Sequence, residues 1–414
     1  MDYPTALAWL YGTQLTGIKL GLDSMRRLLA ALGWQQPAGT RFLHVAGTNG
    51  KGSVCAMLAA ICRAGGFRTG LYTSPHLVSF RERIRLGDAM IPEATVAAAL
   101  TRLRELTEHW ENLPTFFELT TALAFGWFAR DRAEIVVLET GLGGRLDATN
   151  VVTPAVSVIT SLDLDHTAWL GSTLAEIAGE KAGIFKPGVP AVSAPQPAEA
   201  ALVLEQTAQR VGTPLQWPSL ELPGKFSVNL AGSHQRANAA LALATLRAAD
   251  IAIPESSARA GLENVDWPGR FQRLEAGRII LDGAHNPAAA RRLAQTWREE
   301  YGDSERASII LGLLRDKDAA GICESLAPIA ARFIVTKVRT NPRASEPAEI
   351  AAVLAAGAAS KVPCVVTPDL AAALAQGRAQ PERILVTGSL FLVGEALAEL
   401  TEGGSGTLPA SSLQ

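Results

Sequence analysis

Short runs of Val, Ile and Leu alternate with longer segments of helical periodicity over the first two thirds of the chain. Strand-length apolar runs separated by helices are typical of α/β proteins with mostly parallel sheets. The runs predict strands at residues 42–46, 68–72, 135–139, 156–160 and 190–194. The segments between and after them predict helices at residues 52–64, 92–108, 115–129, 173–182, 197–211 and 234–249. The pattern therefore predicts a sheet with helices on both faces.

The alternation starts again after a turn at Pro268-Gly269, a pair that marks a boundary between blocks of different periodicity. The second block predicts strands at residues 278–281, 308–311, 333–336, 364–367 and 384–387. It predicts helices at residues 287–300, 319–327, 348–354, 369–375 and 391–400. We therefore predict a larger domain over residues 1–270, a smaller, doubly wound Rossmann-like domain over residues 271–402, and a flexible tail over residues 403–414.

Composition and charge exclude several classes of function. The 414 residues include 38 Lys+Arg and 40 Asp+Glu without a block of like charges, which argues against binding of nucleic acid by bulk electrostatics. The four cysteines form no C-x-x-C pair, so we expect neither a disulfide framework nor a zinc site. The apolar runs are too short to cross a membrane, and Asp2 and Pro4 stand where a signal peptide needs basic and apolar residues. We therefore expect a cytoplasmic protein without a membrane partner.

The strongest local signal lies between the first predicted strand and the next helix, in the segment Gly47-Thr48-Asn49-Gly50-Lys51-Gly52-Ser53. Glycine-rich backbone amides, a helix N-terminus and a lysine together bind phosphates, and a hydroxyl at Ser53 can reach a metal ion. The segment departs from the common phosphate-loop pattern at Val45 and Gly52. The alternative is a glycine-rich turn with an incidental lysine.

Two polar residues follow buried strands, at the edge where open α/β sheets bind their ligands. Glu139 ends a strand beside a glycine-rich turn and could bind Mg²⁺, which prefers oxygen ligands. The alternative for Glu139 is a helix cap or a surface ion pair. His166 follows the next strand, but a single histidine is more often structural, and imidazole is not a favoured Mg²⁺ ligand.

Eight short motifs then follow one another over nearly all of residues 1–400. They occupy residues 47–53, 73–77, 138–150, 164–167, 180–185, 268–271, 282–287 and 316–318. Each motif is weak alone, but the ordered set is specific. In this order they resemble the folylpolyglutamate synthases, and among these the bacterial form that is also a dihydrofolate synthase, which are relatives of the Mur ligases.

The resemblance implies a two-domain, Mur-ligase-like α/β fold with an N-terminal P-loop ATPase domain and a smaller C-terminal Rossmann-like glutamate-ligase domain. It implies an ATP-dependent ligase that adds L-glutamate to 7,8-dihydropteroate and to the γ-carboxyl of reduced folates through an acyl phosphate. ATP and two Mg²⁺ ions are the expected cofactors, and a monovalent cation such as K⁺ is compatible with the family. The partners are then small molecules, and the family is usually monomeric.

The resemblance also assigns site residues. The expected metal ligands are Ser53, Ser74, Glu139, His166 and, if CO₂ carbamylates it, Lys181. The expected ATP-binding residues are Gly47, Thr48, Asn49, Gly50, Lys51, Gly52, Ser53, Asn238 at the adenine, Arg270 at the phosphates and Asp282 at the ribose. The expected catalytic residues are Lys51, Arg270, Lys181 and His166, and His285 is expected near the glutamate.

Three of these residues have alternative interpretations from the residues alone. A lysine at position 181 would ordinarily be solvated on its helix. Ser74 could cap the turn at Pro75. Arg270 could form a salt bridge between domains.

The resemblance places the pterin against Thr115, Phe116, Phe117, Asp147, Ala148 and Thr149, although the two phenylalanines could instead be core residues. Lys19 stands where some bifunctional members carry an acid that helps to bind dihydropteroate. A folylpolyglutamate synthase without dihydrofolate synthase activity is therefore an alternative. Two further alternatives are a Mur-type ligase acting on a cell-wall precursor and a protein that binds ATP without ligation.

Overall fold

Two β-sheets, each covered by helices, organise the chain in this computed structural model, which describes residues 1–16 and 21–401. The strands of the first sheet are β1 Arg41–Ala46, β2 Thr69–Tyr72, β3 Ile84–Leu86, β4 Ala89–Met90, β5 Ile135–Glu139, β6 Val156–Ile159, β7 Ala191–Ser193 and β8 Leu215–Gln216. The strands of the second sheet are β9 Gln272–Leu274, β10 Ile279–Leu281, β11 Ala307–Leu311, β12 Ala330–Val335, β13 Cys364–Val366 and β14 Arg383–Thr387.

Helices connect most of these strands. Those before the second sheet are α1 Tyr3–Gly12, α2 Asp23–Ala31, α3 Lys51–Ala64, α4 Glu93–Thr107, α5 Phe116–Arg130, α6 Thr167–Leu170, α7 Leu174–Ala182, α8 Ala198–Val211, α9 Ser233–Ala248 and α10 Glu255–Glu263. Those of the second sheet are α11 Pro287–Tyr301, α12 Ala319–Leu326, α13 Pro347–Ala356, α14 Leu370–Arg378 and α15 Leu390–Thr401. No helix of the described ranges is long and apolar enough to cross a membrane.

The strand order places several loops at one edge of each sheet. The first sheet has the order β4-β3-β2-β5-β1-β6-β7-β8, and all its strand pairs are parallel except β2–β3 and β3–β4. The second has the order β13-β12-β11-β14-β10-β9 and is parallel except for β9. Because β5 inserts between β1 and β2, the loops after β1, β5 and β6 leave the first sheet side by side. Such a switch in strand order is where open α/β sheets bind ligands.

The hydrophobic core follows from helices that cover both faces of the sheets. Apolar side chains of β1, β5 and β6 pack on one face against α3, α9 and α10, and on the other face β1 and β5 pack against α2 and α5. In the second sheet, α11, α12 and α13 cover one face and α14 and α15 cover the other. Burial on both faces explains why these strands have continuous apolar sequences rather than alternating ones. His44, a fully buried polar residue of β1, is an exception to this apolar pattern.

The predicted fold class is confirmed, and every predicted strand and helix is present to within a few residues. The sequence analysis missed α1, α2, α6 and α10, and it missed β3, β4, β8 and β9, which are only two or three residues long. The boundary at residue 270 stays a prediction, although the last strand of the first sheet ends at Gln216 and the second sheet begins at Gln272. Lys19 and the tail at residues 403–414 lie outside the described residues.

Candidate active site

A cavity of ≈ 1290 Å³ opens at the carboxyl ends of β1, β5 and β6, and loops of the second sheet form its opposite wall. The predicted site residues that line it are Gly47, Thr48, Asn49, Gly50, Lys51, Gly52, Ser53, Ser74, Thr115, Phe116, Phe117, Glu139, Asp147, Ala148, His166, Lys181, Asn238, Arg270, Asp282 and His285. Residues that are up to 238 positions apart in the chain thus line the same cavity.

The loop from Gly47 to Ser53 links β1 to α3, and two of its glycines have conformations that other residues rarely adopt. Gly47 has φ 151°, and a Cβ atom there would lie 1.8 Å from Oγ1 of Thr160. Gly50 precedes the first turn of α3 with φ 90°, and a Cβ atom there would lie 3.1 Å from Oδ1 of Asn238. The glycines therefore allow β1, the loop and α9 to approach one another closely.

The amides of this loop divide into two groups. The amides of Thr48 and Asn49 donate to the carbonyl of Ser161, at 2.9 and 3.2 Å, and thereby fix the loop to the end of β6. The first amides of α3 have no acceptor within the helix and point out of its N-terminus, where an anion is stabilised. Nζ of Lys51 lies 3.1 Å from the carbonyl of Gly47 and 3.3 Å from that of Thr48. The phosphate-binding prediction thus applies best to the start of α3 and to Lys51.

Glu139, the last residue of β5, is a buried carboxylate at the cavity wall. Its Oε2 accepts a hydrogen bond of 3.1 Å from the amide of Ser74. Burial raises the pKa of Glu139, and the charges of Lys51 and Arg270 and the Ser74 bond oppose this only in part. A cation bound at the cavity would stabilise the ionised form. This arrangement does not match a helix cap or a surface ion pair.

Lys181 is 4% exposed, so the solvated position that its helix pattern suggested is wrong. Its Nζ donates to the carbonyl of Gly47 at 2.8 Å, which places it directly behind the phosphate loop. Burial and the charge of Lys51 lower the pKa of Lys181 to about 7. A lysine with such a pKa has much of its amine uncharged at neutral pH, which carbamylation by CO₂ requires.

His166 lies at the start of α6 with a left-handed backbone (φ 53°). Partial desolvation at the cavity lowers the pKa of His166 below its ordinary value, and the nearby Asp165 charge opposes this. The imidazole is therefore neutral at pH 7, the form that can bind a metal.

Asp165, which the sequence analysis did not select, is one of the residues that connect the loops of the first sheet to those of the second. Its Oδ1 accepts a hydrogen bond from Nζ of Lys317 at 2.8 Å, and its Oδ2 accepts one from Nδ2 of Asn286 at 3.1 Å. The side chains of Asp165 and Lys317 are 10% and 8% exposed. Burial alone would raise the pKa of Asp165, but the neighbouring His166, His285 and Lys317 together lower it below its ordinary value.

Asn286 extends this contact to the phosphate loop, because its Nδ2 also lies 3.1 Å from Oδ1 of Asn49. Its Oδ1 accepts from the amide of Ala289 and so caps α11. Asp165, Asn286 and Lys317 each belong to one of the eight sequence motifs. The motifs were a usable signal for these residues, but no spacing in the chain indicates that three motifs meet.

Asn238 and Gln235 of α9 face the phosphate loop from the side. Nδ2 of Asn238 donates to Oε1 of Gln235 at 3.0 Å, and Nε2 of Gln235 donates to Oγ of Ser53 at 3.3 Å. The predicted adenine residue and the predicted metal-binding hydroxyl are thus connected through Gln235, which the sequence analysis missed.

Arg270 and Asp282 lie together where the chain enters the second sheet. Asp282 accepts hydrogen bonds of 2.9 Å from the amides of Phe271 and Ala284. Burial raises the pKa of Asp282, and the charge of Arg270 opposes this. Within the described ranges Arg270 makes no ion pair within 4.0 Å, so the alternative of an interdomain salt bridge finds no support. His285, the predicted glutamate residue, has its Nε2 3.7 Å from Oδ2 of Asp165.

The predicted pterin residues form the opposite end of the cavity. Thr115 caps α5 together with Glu118, whose carboxylate accepts from the amide of Thr115 at 2.7 Å. Phe116 is 5% exposed and stacks on Tyr11 with ring centroids 5.8 Å apart, so it is largely a core residue. Phe117 is only partly buried, with its ring 5.9 Å from that of Tyr72, and offers the more accessible ring.

Thr149 differs from the other predicted residues. It is fully buried and does not line the cavity, because it lies behind Asp147. Its amide donates to Oδ1 of Asp147 at 3.0 Å, and its hydroxyl donates to the same oxygen. Its prediction as a wall residue is therefore corrected, since Thr149 supports the wall from behind.

The residues present fit a divalent cation held jointly with a nucleotide. In the described ranges no three His, Cys, Asp or Glu side chains form a metal-binding group. Mg²⁺ does not need such a group, because it is commonly held by one or two carboxylates together with phosphates and water. Glu139, whose ionised form lacks full compensation, and the hydroxyl of Ser53 at the phosphate loop match this chemistry.

The fold and the site define a nucleotide-binding α/β protein with a phosphate loop facing a second, Rossmann-like sheet. Two family models match the chain: the Mur ligase middle domain at residues 45–194 and the Mur ligase glutamate ligase domain at residues 269–390. The dihydrofolate synthase/folylpolyglutamate synthase of Bacillus subtilis is 35% identical over 427 residues, covering 95% of this chain and 98% of that protein.

Solved structures of folylpolyglutamate synthases are also similar to this chain over nearly its whole length. The structure titled "E.coli FolC in complex with DHPP and ADP" has a TM-score of 0.87 and 32% identity, covering 97% of this chain and 98% of that one. A bifunctional folylpolyglutamate synthase/dihydrofolate synthase with Mn, AMPPNP and L-glutamate bound has a TM-score of 0.84 and 31% identity, covering 95% and 98%. The chain therefore belongs to the Mur ligase family and, within it, to the dihydrofolate synthase/folylpolyglutamate synthases.

Proposed function

We propose that this protein is an ATP-dependent ligase that adds L-glutamate to 7,8-dihydropteroate, forming dihydrofolate, and to the γ-carboxyl of reduced folates, forming folylpolyglutamates. The observation that carries the proposal is the single cavity lined by the phosphate loop, by the predicted pterin wall and by residues of the second sheet. Homology over nearly the whole chain to enzymes of this name supports it.

In the first step, a carboxylate oxygen of the pterin substrate attacks the γ-phosphorus of ATP. The bond to the bridging oxygen breaks, and an acyl phosphate and ADP result. Lys51 and Arg270 both line the cavity and offset the negative charge that spreads over the transferred group. No nucleophile of the protein takes part.

In the second step, the α-amine of L-glutamate attacks the acyl carbon, and phosphate leaves from the tetrahedral intermediate. The acyl phosphate must be kept from water until the amine arrives. The contacts of Asn286 and Lys317 with Asp165 close one side of the cavity with residues of the second sheet. His285 beside Asp165 is the proposed neighbour of the glutamate.

Glu139 and the hydroxyl of Ser53 are the proposed Mg²⁺ ligands, with Ser74, His166 and carbamylated Lys181 as further proposed ligands. When bound, Mg²⁺ neutralises phosphate charge and polarises the phosphorus–oxygen bonds. Lys181 has the burial and the lowered pKa that carbamylation needs. A monomer in the cytoplasm is part of the proposal, and light scattering of the purified protein tests the monomer.

Coupled ADP release tests the proposal, with ATP, Mg²⁺ and L-glutamate present and with 7,8-dihydropteroate in one reaction and tetrahydrofolate in another. We expect turnover with both, and products heavier by one glutamyl unit. Turnover with tetrahydrofolate alone would establish a folylpolyglutamate synthase without dihydrofolate synthase activity. Turnover with neither would contradict the proposal. The Lys51→Ala variant is the negative control, because it keeps the loop glycines and removes the ammonium.

A further inference from the structure

A buried chain of hydrogen bonds runs from the centre of the first sheet to the predicted pterin wall. His44 is the fourth of the six residues of β1 and is fully buried. Its Nε2 lies 2.8 Å from Oγ1 of Thr149. The Thr149 hydroxyl contacts Oδ1 of Asp147, whose side chain borders the cavity. Three side chains thus connect the core to the cavity wall.

The protons in this chain have one consistent direction. The hydroxyl of Thr149 has a single proton, and its contact with the Asp147 carboxylate requires that this proton points to Oδ1. Nε2 of His44 must then donate to Oγ1 of Thr149. Nδ1 of His44 has no partner among the described residues, so it is an unprotonated acceptor rather than a buried N–H. Burial and the charge of Lys186 lower the pKa of His44 to about 3, in agreement with a neutral ring.

The far end of the chain fixes the turn that follows β5. Oδ2 of Asp147 accepts from the amides of Gly141 and Leu142 at 2.8 and 2.9 Å. A Cβ atom on Gly141 would lie 2.6 Å from Cζ of Phe117, so the turn lies directly against this ring. The orientation of the Asp147 carboxylate therefore determines where the turn and the Phe117 ring border the cavity.

We propose that His44 is a positioning residue for folate binding, which acts through the Thr149 hydroxyl on Asp147 and the Gly141–Leu142 turn. The inference rests on the proposed function, because it names what the positioned wall binds. Burial of the His44 imidazole is costly, because one of its two ring nitrogens has no hydrogen-bond partner among the described residues. An apolar residue would fill the same position in the core at a lower desolvation cost. Support of the core alone therefore does not account for this histidine.

Variants at the two buried links separate positioning from general stability. His44→Leu removes the donor, and Thr149→Val is nearly isosteric and removes the hydroxyl. The linked side chains end at a carboxylate, and hydrogen bonds to charged groups are stronger than those between neutral groups. We therefore expect each variant to raise the KM for tetrahydrofolate about tenfold. The KM for ATP should change by no more than about twofold, because the hydrogen bonds that link His44, Thr149 and Asp147 do not involve the phosphate loop. His44→Gln, whose amide can donate to Thr149, should restore most of the affinity.

The double variant His44→Leu/Thr149→Val should bind folate no worse than Thr149→Val, because one break already disconnects the chain. Thr245→Val is the matched control, since it deletes a buried hydroxyl that donates within α9 to the carbonyl of Leu241 at 2.8 Å. It should leave both KM values unchanged. Multiplicative losses in the double variant, or equal changes in both KM values, would overturn the inference.

A spectroscopic readout tests the chain without turnover. In ¹⁵N-histidine-labelled wild-type protein at neutral pH, the resonances that disappear in His44→Gln should show a neutral ring protonated at Nε2. Protonation at Nδ1, or an imidazolium, would overturn the inference whatever the activity. If the wild-type enzyme shows no glutamate-dependent turnover but this tautomer is present, the proposed function fails and the hydrogen-bonded chain stands.

Discussion

The cavity edge carries two buried carboxylates, one on each side of β1, and their surroundings differ. Glu139 at the end of β5 accepts a hydrogen bond from the amide of Ser74, and burial raises its pKa. Asp165 after β6 accepts hydrogen bonds from the Lys317 ammonium and from the Asn286 side-chain amide, and its neighbours lower its pKa. The chain thus compensates the negative charge of Asp165 and compensates that of Glu139 only in part.

The difference separates two tasks. Asp165 joins the two sheets, so its charge is neutralised by partners that the folded chain itself supplies. Glu139 faces the phosphate loop, so its compensation is left to a ligand. A buried ionisable group without full compensation lowers stability and is typical of a functional site. The region around Asp165 is therefore complete in the folded chain, whereas the region around Glu139 is completed on binding.

The largest effect is expected for Glu139→Gln. The loss of a charge that acts on the phosphoryl transfer should lower turnover about 10²- to 10³-fold. The ligand-free variant should nevertheless unfold at a higher temperature than the wild type, because a neutral amide avoids the burial of a charge. ADP release and thermal unfolding measure the two effects. Glu134→Gln, at the exposed opposite end of β5, should change neither. A lower unfolding temperature for Glu139→Gln would contradict the comparison.

Asp165→Asn should have the opposite effect on stability. Removing one partner of this largely buried ion pair leaves the Lys317 ammonium with the exposed Asp316 carboxylate at 3.6 Å, which compensates its charge only in part. The loss should lower the free energy of unfolding by about 3 kcal/mol. Lys317→Met should act likewise, and the double variant should lose less than the sum of the two. Denaturant unfolding measures these values. Asp163→Asn is the control, because among the described residues its carboxylate accepts only from the adjacent Leu164 amide, at 2.8 Å. Additive losses would show that the pair does not join the sheets.

A smaller effect, dependent on pH, is expected for Lys181→Met in ligand-free protein and carbonate-free buffer. Native Lys181 loses its proton near pH 7, whereas in the unfolded chain it keeps the proton up to its ordinary pKa of 10.5. Burial of the cation therefore costs stability fully below pH 7, and this cost shrinks as the pH rises above 7. The stabilisation by Lys181→Met should be larger at pH 6 than at pH 9, by about 2 kcal/mol.

Thermal unfolding at the two pH values tests this dependence, with the exposed Lys361→Met as control. A stabilisation that is the same at both pH values, or larger at pH 9, would show that the pKa of the native amine is not lowered.

The smallest effect is expected for Asp282→Ala. The carboxylate already accepts two backbone amides, so a contact with the ribose would be one bond among several. We expect the KM for ATP to rise about fivefold, the equivalent of one hydrogen bond. Steady-state kinetics with ATP and with glutamate varied in turn would show this. A change in the KM for glutamate alone would remove the ribose assignment.

Much of the site was predictable because its residues lie in motifs at strand ends. The phosphate loop and Glu139 follow strands whose apolar runs identify them, and parallel strands bring such ends to one edge. Asp165, Gln235 and Lys317 were missed as site residues because their roles depend on contacts between elements far apart in the chain. Thr149 was placed on the wrong side of the wall for the same reason, since no pattern indicates which of two adjacent residues faces the cavity.

The amino-acid sequence by itself determined the α/β class, the two blocks of strands and helices, and the family, because periodicity and ordered motifs are local properties of the chain. Only the tertiary structure decided the ionisation of the site. Lys181 has a pKa of about 7 because it is buried behind the loop at Gly47, and the Asp165 carboxylate is stabilised because Lys317 reaches it from the other sheet. Desolvation and charge pairing depend on distance in space, which the order of residues does not state.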